Sequence, residues 1–144
     1  SMPHADQDSK NIFNEIKNFV KTNRNSKSYK SLGSLNYLSC LKLVDVILGN
    51  SSSGLLEAPT LRVPTINIGD RQKNRAKANS VIDCKPEKKK ILKKLKKILD
   101  NNLFMRSINF KNPYGNGGAS KKIVNILEKI DYNKLLKKKF YKNN

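Results

Sequence analysis

The apolar run at 44–50, "VDVILGN", restricts the fold more than any other stretch of the chain. A short run without regular polar alternation is typical of a strand that is buried on both faces of a parallel sheet. Three serines and a glycine follow at 51–54, and serine is a preferred first residue for a helix. We therefore predict a buried strand that leads directly into a helix. Pro59 should kink or end this helix, because proline has no backbone N–H to donate to Leu55.

Strands and helices are predicted to alternate along most of the chain. Further strands are predicted at 28–33, 63–69 and 80–84. Other helices are predicted to begin at Asp8 or Ser9, at Ser34 and near Pro86, and a last helix follows the loop at 109–120. This alternation, from residue 9 to about 131, predicts an α/β fold with a parallel sheet and helices on both of its faces.

The chain is strongly basic, with 30 Lys and Arg against 11 Asp and Glu and a formal net charge of +19. Much of this charge lies at 85–97 and 134–142, away from the serine-rich stretch. Lysine, asparagine and isoleucine are all abundant, which is typical of an AT-rich genome. We therefore predict no specific nucleic-acid partner, and a polyanion-binding module stays as an alternative.

The sequence also indicates where the protein works and what it does not bind. No apolar run approaches the ~20 residues of a membrane span, and no signal peptide opens the chain. Cys40 and Cys84 have neither C-x-x-C spacing nor a neighbouring histidine. The expectations are a cytoplasmic location, no membrane, no metal, no cofactor, and two reduced, buried thiols.

The serine-rich junction is the best candidate for a ligand site, because open parallel sheets bind ligands at the carboxyl ends of their strands. The backbone amides of Ser52, Ser53 and Gly54 are expected to be unpaired at the helix start and to attract phosphate. Glu57, one turn later, would repel phosphate and suits sugar hydroxyls. Arg71, after the next strand, could reach the same phosphates. Together they favour a nucleoside diphosphate with its ribose.

The junction has two other interpretations besides a nucleotide site. Leu55 and Leu56 stand where a P-loop requires Lys and Ser or Thr, so a P-loop is excluded. A serine-rich turn can also be a plain helix cap, with Glu57 as a surface residue. Residue spacing alone leaves that second alternative open.

The stretch at 49–75, "GNSSSGLLEAPTLRVPTINIGDRQKNR", resembles the carboxyl-terminal half of the hydrolysing UDP-N-acetylglucosamine 2-epimerases of sialic and nonulosonic acid biosynthesis. "MPHADQDS" looks like the family's Pro-Asn-x-Asp loop, and "NPYGNGGASKKIVNIL" looks like its closing segment. The resemblance covers roughly residues 2 to 130. It implies a glycosyltransferase-B-type fold of two Rossmann-like halves, of which this chain would be the carboxyl-terminal half, truncated at its amino-terminal side.

The resemblance also implies roles for individual residues. Ser51 and Ser52 would bind the diphosphate, and Glu57 would bind the ribose. Arg71 would line the same pocket, and the backbone around Leu32 would contact the uracil. His4 would replace a family asparagine as a ligand residue. Asn50, Ser53, Gly54, Asn67, Gly69 and Asp70 would support the site. No catalytic residue is expected in this chain, because the family's acid and base carboxylates lie in the amino-terminal half.

The expected function follows from the resemblance. Residues 2–131 would form the UDP-binding domain, with 132–144 as a basic tail. The family eliminates UDP from the sugar and then adds water, which yields N-acetylmannosamine and UDP. This chain would bind UDP or a UDP-sugar and would need an amino-terminal catalytic domain as its partner. A homodimer is also expected. It would be inactive alone. The other alternative is the nucleotide-binding half of a glycosyltransferase with the same fold.

Overall fold

The structure is a computed structural model that describes residues 9–135. The chain divides into two compact units, of which the first ends at Pro113 and the second begins at Tyr114. The first unit contains α1 (Ser9–Thr22), α2 (Gly33–Leu41), β1 (Ile47–Gly49), α3 (Ser53–Leu56), β2 (Thr65–Ile68), β3 (Val81–Cys84), α4 (Lys88–Asp100) and α5 (Asn102–Ser107). The second contains α6 (Ala119–Leu127) and α7 (Tyr132–Leu135).

The sheet of the first unit has three parallel strands in the order β1-β2-β3. Ile47 pairs with Thr65, and Thr65 pairs in turn with Val81. The strands that the apolar runs predicted around 44–50, 63–69 and 80–84 are thereby confirmed. The expected burial of the first strand on both faces is wrong, since β1 is at the edge of the described sheet and Leu48 is 49% exposed. The central strand β2 is the most deeply buried, as expected for a parallel sheet that is covered on both faces.

Residues alternate between the two faces of the sheet, and each face has its own core. On the face that carries Ile47 and Thr65, the core consists of Leu41, Ala58 and Val63. On the face that carries Ile66, Cys84 packs with Ile98 of α4. The prediction of helices on both faces is therefore confirmed, with α3 against β2 on the first face and α4 on the second.

The apolar residues of α4 explain why this lysine-rich helix packs on the sheet. Ile91, Leu95 and Ile98 recur at intervals of four and three, so they lie on one side of the helix. All three belong to the core on the Ile66 face. Most lysines of the helix lie outside this stripe and are exposed.

The predicted strand at 28–33 is wrong. Residues 28–32 lie outside any strand, and α2 already begins at Gly33. A strand needs a neighbour for its backbone hydrogen bonds, and within residues 9–135 the sheet contains β1, β2 and β3 alone. The strict alternation of strand and helix also fails after β2, since residues 69–80 form turns before β3.

Two predicted helix starts also differ from the structure. Ser34 lies inside α2, and Leu32 holds the N-cap position without a side-chain cap. Gly33 has a φ of 69°, a left-handed conformation that glycine adopts at little cost, and the turn it makes starts the helix one residue early. Pro86 lies just before α4, which begins at Lys88, rather than in its first turn.

The remaining sequence expectations have mixed outcomes. Cys84 is buried as predicted, whereas Cys40 is exposed, which corrects the expectation of two buried thiols. Within residues 9–135, no helix combines the length and the apolar character needed to cross a membrane. The predicted single domain over 2–131, with a tail at 132–144, stays a prediction.

The second unit is a pair of helices with little buried surface. No residue of α6 is buried. Gly118, with a φ of 76°, precedes the helix, and the Tyr132 hydroxyl of α7 donates a hydrogen bond of 2.8 Å to the Leu127 carbonyl. The last helix that the sequence predicted is thus present and is followed by a short turn of helix.

Candidate functional site

A cleft of about 580 Å³ opens where α2 begins and where β1 leads into α3. Four residues that the sequence singled out line it together: Leu32, Ser51, Ser53 and Glu57. Leu32 comes from a segment that is distant in sequence from the other three. The cleft lies at the carboxyl end of β1, the edge where parallel sheets usually bind ligands.

The Glu57 carboxylate is held by a short chain of hydrogen bonds. The Ser53 hydroxyl donates to Glu57 Oε2, and the Tyr37 hydroxyl lies 2.5 Å from Ser53 Oγ. Ser53 and Glu57 are four residues apart across α3, so they lie on the same side of that turn. Tyr37 reaches them from α2. Within residues 9–135, no hydrogen bond reaches the other oxygen, Glu57 Oε1.

The expectation of three unpaired amides at the start of α3 is wrong for two of them. The Ser53 N–H donates to Ser51 Oγ at 3.3 Å, and the Gly54 N–H donates to the Ser51 carbonyl at 3.2 Å. Ser51 therefore caps the turn, as small hydroxyl residues commonly do. At this end of α3, which is four residues long, Ser51 and Ser53 line the cleft.

Gly54 fixes the position of α3 against the sheet. It is buried, and a Cβ at this position would lie 2.5 Å from Thr65 Cγ2 of β2. The Thr65 hydroxyl donates to the Gly54 carbonyl at 3.1 Å. Gly54 therefore permits a close approach between the backbone of α3 and the sheet, and its supporting role at a ligand site stays a prediction.

Arg71 lies apart from this cleft. Arg71 is exposed in the turn that follows β2, and it is not among the residues that line the cleft. Its neighbour Gln72 is 3% exposed and donates from Nε2 to the Asn50 carbonyl at 2.8 Å. This hydrogen bond ties the loop after β2 to the end of β1. Sequence reasoning missed Gln72, because a glutamine in a polar loop carries no signal of burial.

Gly69 and Asp70 line a second cavity, of about 470 Å³, at the carboxyl ends of β2 and β3. Asn67 is buried and does not face the first cleft, since its Nδ2 donates to Asp83 Oδ1 at 2.7 Å. Lys77 Nζ lies 2.7 Å from Asp83 Oδ2. Of the predicted supporting residues, Ser53 thus lines the first cleft, and Gly69 and Asp70 line the second cavity.

The pKa of Asp83 reflects these contacts. Partial burial raises the pKa, but the hydrogen bonds donated by Lys77 and Asn67 and the charge of Lys77 outweigh burial and hold it below its ordinary value. Asp83 is therefore a charged partner for the loop at 69–80.

The other predicted residues have different surroundings. Ser52 holds the N-cap position of α3, and its side chain makes no cap hydrogen bond. Asn50 is exposed. His4 lies outside the described residues, so its predicted role stays a prediction. Among residues 9–135, no group of three or more His, Cys, Asp or Glu side chains is placed to hold a metal ion.

Sequence reasoning missed Tyr37 and two cleft residues, Lys27 and Tyr29. Tyr37 lies in the apolar stripe of α2, where it reads as a core residue. One signal was available, because a tyrosine in a core usually finds a hydrogen-bond partner for its hydroxyl. That signal does not identify the partner, since Ser53 is 16 residues away in sequence.

A parallel sheet with helices on both faces and a polar cleft at a strand-to-helix junction defines a Rossmann-like α/β domain. Comparison with known families makes the assignment specific. The model of the UDP-N-acetylglucosamine 2-epimerase family matches residues 1–128, and the chain belongs to that family. The family resemblance of the sequence is thereby confirmed.

Several characterised proteins are similar to the chain. A polysialic acid biosynthesis protein of Escherichia coli is 38% identical over 125 residues, which cover 87% of this chain and 32% of that protein. The GDP/UDP-N,N'-diacetylbacillosamine 2-epimerase (hydrolyzing) of Campylobacter jejuni is 45% identical over 74 residues, which cover 50% of this chain and 19% of that protein. The UDP-N,N'-diacetylbacillosamine 2-epimerase (hydrolyzing) of Legionella pneumophila is 35% identical over 94 residues, which cover 65% of this chain and 24% of that protein. The chain spans about a third or less of these relatives.

Proposed function

We propose that this chain binds the UDP moiety of UDP-N-acetylglucosamine and forms the nucleotide-binding part of a hydrolysing 2-epimerase. The observation that carries the proposal is the cleft that gathers Leu32, Ser51 and Glu57. The family resemblance assigns these three residues to uracil, diphosphate and ribose. Parts of one nucleotide must be contacted from one cavity, and the cleft satisfies that requirement.

Glu57 is suited to the ribose. Ser53 occupies one carboxylate oxygen, so Oε1 is available to accept hydrogen bonds from the 2′- and 3′-hydroxyls. A carboxylate accepts such bonds more strongly than a neutral oxygen does. Its negative charge would repel a phosphate, which places the diphosphate nearer to the serines.

Ser51 is suited to the diphosphate. Its Oγ accepts a hydrogen bond from the Ser53 N–H and keeps its own proton for donation to a phosphate oxygen. Lys27 lines the same cleft and supplies a positive charge. Arg71 lies outside the cleft, in the loop that Gln72 ties to Asn50, and its long side chain would add a bidentate contact once the diphosphate is bound.

The proposed chemistry makes this chain responsible for the leaving group. In the elimination, the bond between the anomeric carbon and the diphosphate oxygen breaks, and its electron pair leaves with UDP. Positive charges and donors aimed at that oxygen lower the barrier, because they stabilise the charge that develops there. Removal of the sugar proton and addition of water would be carried out by carboxylates in the rest of the enzyme. The sugar would carry a 2-acetamido group, as in N-acetylglucosamine.

Calorimetric titration with UDP tests the proposal. Because hydrogen bonds to a charged group contribute about 1.5–3 kcal/mol, we expect Glu57→Gln to weaken UDP binding by about 10- to 100-fold. Glu128→Gln, which changes an exposed glutamate of the second unit, is the matched control and should bind UDP as the unaltered chain does. Equal affinity in Glu57→Gln would contradict the proposed ribose contact.

The same preparation tests the division of labour. Incubation of the chain with UDP-N-acetylglucosamine should release neither N-acetylmannosamine nor UDP, because the acid and base of the reaction would be missing. Sustained release of both products would show that the chain contains its own catalytic carboxylate, and the assignment of the chemistry to another part would be wrong.

A further inference from the structure

We infer that Tyr37 is a positioning residue for nucleotide binding, acting on Glu57 through the Ser53 hydroxyl. The inference rests on the proposed function, in which Glu57 binds the ribose. It adds a residue of α2 to the Glu57 carboxylate, whose hydrogen-bond partner Ser53 belongs to α3. Tyr37 touches the carboxylate only through Ser53, so its contribution is to orientation rather than to direct contact with the ribose.

The direction of the hydrogen bonds follows from counting protons. A serine hydroxyl has one proton, and Ser53 donates it to Glu57 Oε2. The short contact between Ser53 Oγ and the Tyr37 hydroxyl can then be a hydrogen bond only if Tyr37 is the donor. The chain therefore runs from Tyr37 through Ser53 to Glu57, with each hydroxyl donating toward the carboxylate. Hydrogen bonds that run in one direction strengthen one another.

The Tyr37 ring is held at its other end. It packs against the core of Leu41, Ala58 and Val63, while its hydroxyl lines the cleft. The position of the hydroxyl is thus set by the same apolar packing that holds α2 on the sheet. Because Glu57 itself is exposed, its side chain has few packing contacts to fix it, and the hydrogen bond from Ser53 is what restrains it.

Loss of the Tyr37 hydroxyl should release this restraint. Ser53 Oγ would no longer accept a hydrogen bond from Tyr37, so its hydroxyl could rotate and donate to a backbone carbonyl, as serines in helices often do. Glu57 would then sample several rotamers, and binding of the ribose would have to select one of them. The cost should appear only for ligands that have ribose hydroxyls.

The test compares UDP with 2′,3′-dideoxy-UDP by calorimetry on the full chain. In Tyr37→Phe, which keeps the ring, UDP affinity should fall about 3- to 10-fold, the size expected for one hydrogen bond. Affinity for dideoxy-UDP should not change. Ser39→Ala removes another hydroxyl from α2, one that donates to the Leu35 carbonyl, and should affect neither ligand.

Ser53 provides a second variant that does not depend on Tyr37. Ser53→Ala should weaken UDP at least as much as Tyr37→Phe, whereas Ser53→Thr, which keeps a hydroxyl, should retain most of the affinity. Adding Tyr37→Phe to Ser53→Ala should cause no further loss, because both changes break the same chain of hydrogen bonds. Thermal melting of each variant confirms that it is folded.

The outcomes separate this inference from the proposed function. If the unaltered chain binds UDP and dideoxy-UDP equally, or does not bind UDP, the ribose contact of Glu57 is wrong and the inference falls with it. If the unaltered chain prefers UDP but Tyr37→Phe weakens both ligands equally, or neither, Tyr37 has a purely structural role and the positioning inference alone is overturned.

Discussion

At the scale of single residues, the position of the serine-rich turn is decided by a glycine and a threonine. Gly54 lies so close to Thr65 that any side chain at 54 would overlap the threonine methyl group. Thr65 is 2% exposed, and its branched side chain has little freedom to turn away. The turn can therefore reach the end of β1 only while residue 54 has no Cβ.

We accordingly expect Gly54→Ala to lower the free energy of unfolding by about 1–3 kcal/mol, the usual cost of overpacking a core. Urea denaturation measures the change. Thr65→Ser removes the overlapping methyl group but keeps the hydroxyl that donates to the Gly54 carbonyl. The double variant should therefore recover part of the stability that Gly54→Ala loses. If the two losses simply add, the close contact is not the cause.

At the scale of elements, β2, β3 and the loop between them are joined by polar contacts. Asn67 of β2 and Lys77 of the loop both donate to Asp83 of β3. Twelve residues connect the two strands without a helix, so this loop depends on such contacts for its position.

The lowered pKa of Asp83 predicts a specific dependence of stability on pH. The pKa of Asp83 is lower in the folded state than its ordinary value of about 3.8. Its carboxylate therefore stabilises the protein at pH values above 3.8, and the stabilisation is lost as the pH falls through the lower, folded-state pKa. Asp83→Asn should be less stable than the unaltered chain at neutral pH, and the difference should shrink below about pH 4.

Urea denaturation at a series of pH values measures this difference. Because the Asp83 side chain is 58% exposed, solvent screens the ion pair and the effect should be small. Asp45→Asn, at an exposed position without an ion pair among the described residues, is the control and should follow the unaltered chain. A constant difference between Asp83→Asn and the unaltered chain at every pH would contradict the assignment.

At the scale of the whole molecule, the excess of positive charge opposes folding. The net charge is +19, and among residues 9–135 three ion pairs form. Most lysines of α4 have other lysines as their nearest charged neighbours along the helix. Like charges held together in the folded state repel one another more than they do in the unfolded chain.

Salt should therefore stabilise the protein. We expect the urea midpoint to rise when NaCl is raised from about 20 to 200 mM, because the Debye length falls below the separation of many of these charges. Lys93→Gln with Lys96→Gln, at two exposed positions of α4, should raise the midpoint at low salt and reduce its response to NaCl. A midpoint that is unchanged or lowered by salt would show that repulsion is not the dominant electrostatic effect.

The sequence predicted the elements of the sheet better than the details of the site. The apolar runs located the three strands of the described sheet, because helices cover both faces and most strand positions are therefore apolar. The predicted strand at 28–33 is wrong, because a strand must pair with a neighbour and none of the strands within residues 9–135 pairs with this segment. The unpaired amides of Ser53 and Gly54 were also a wrong prediction, since Ser51 accepts hydrogen bonds from both.

The sequence by itself determined the class of fold, the family, and the gathering of Ser51 and Glu57 near one strand end. These depend on apolar patterning and on residues that are neighbours along the chain. Only the tertiary structure decided that Tyr37 joins Glu57 through Ser53, that Gln72 holds Asn50, and that Asn67 serves Asp83 instead of the cleft. Each of these contacts joins residues 16 or more positions apart, and local pattern carries no information about which distant side chain packing brings within reach.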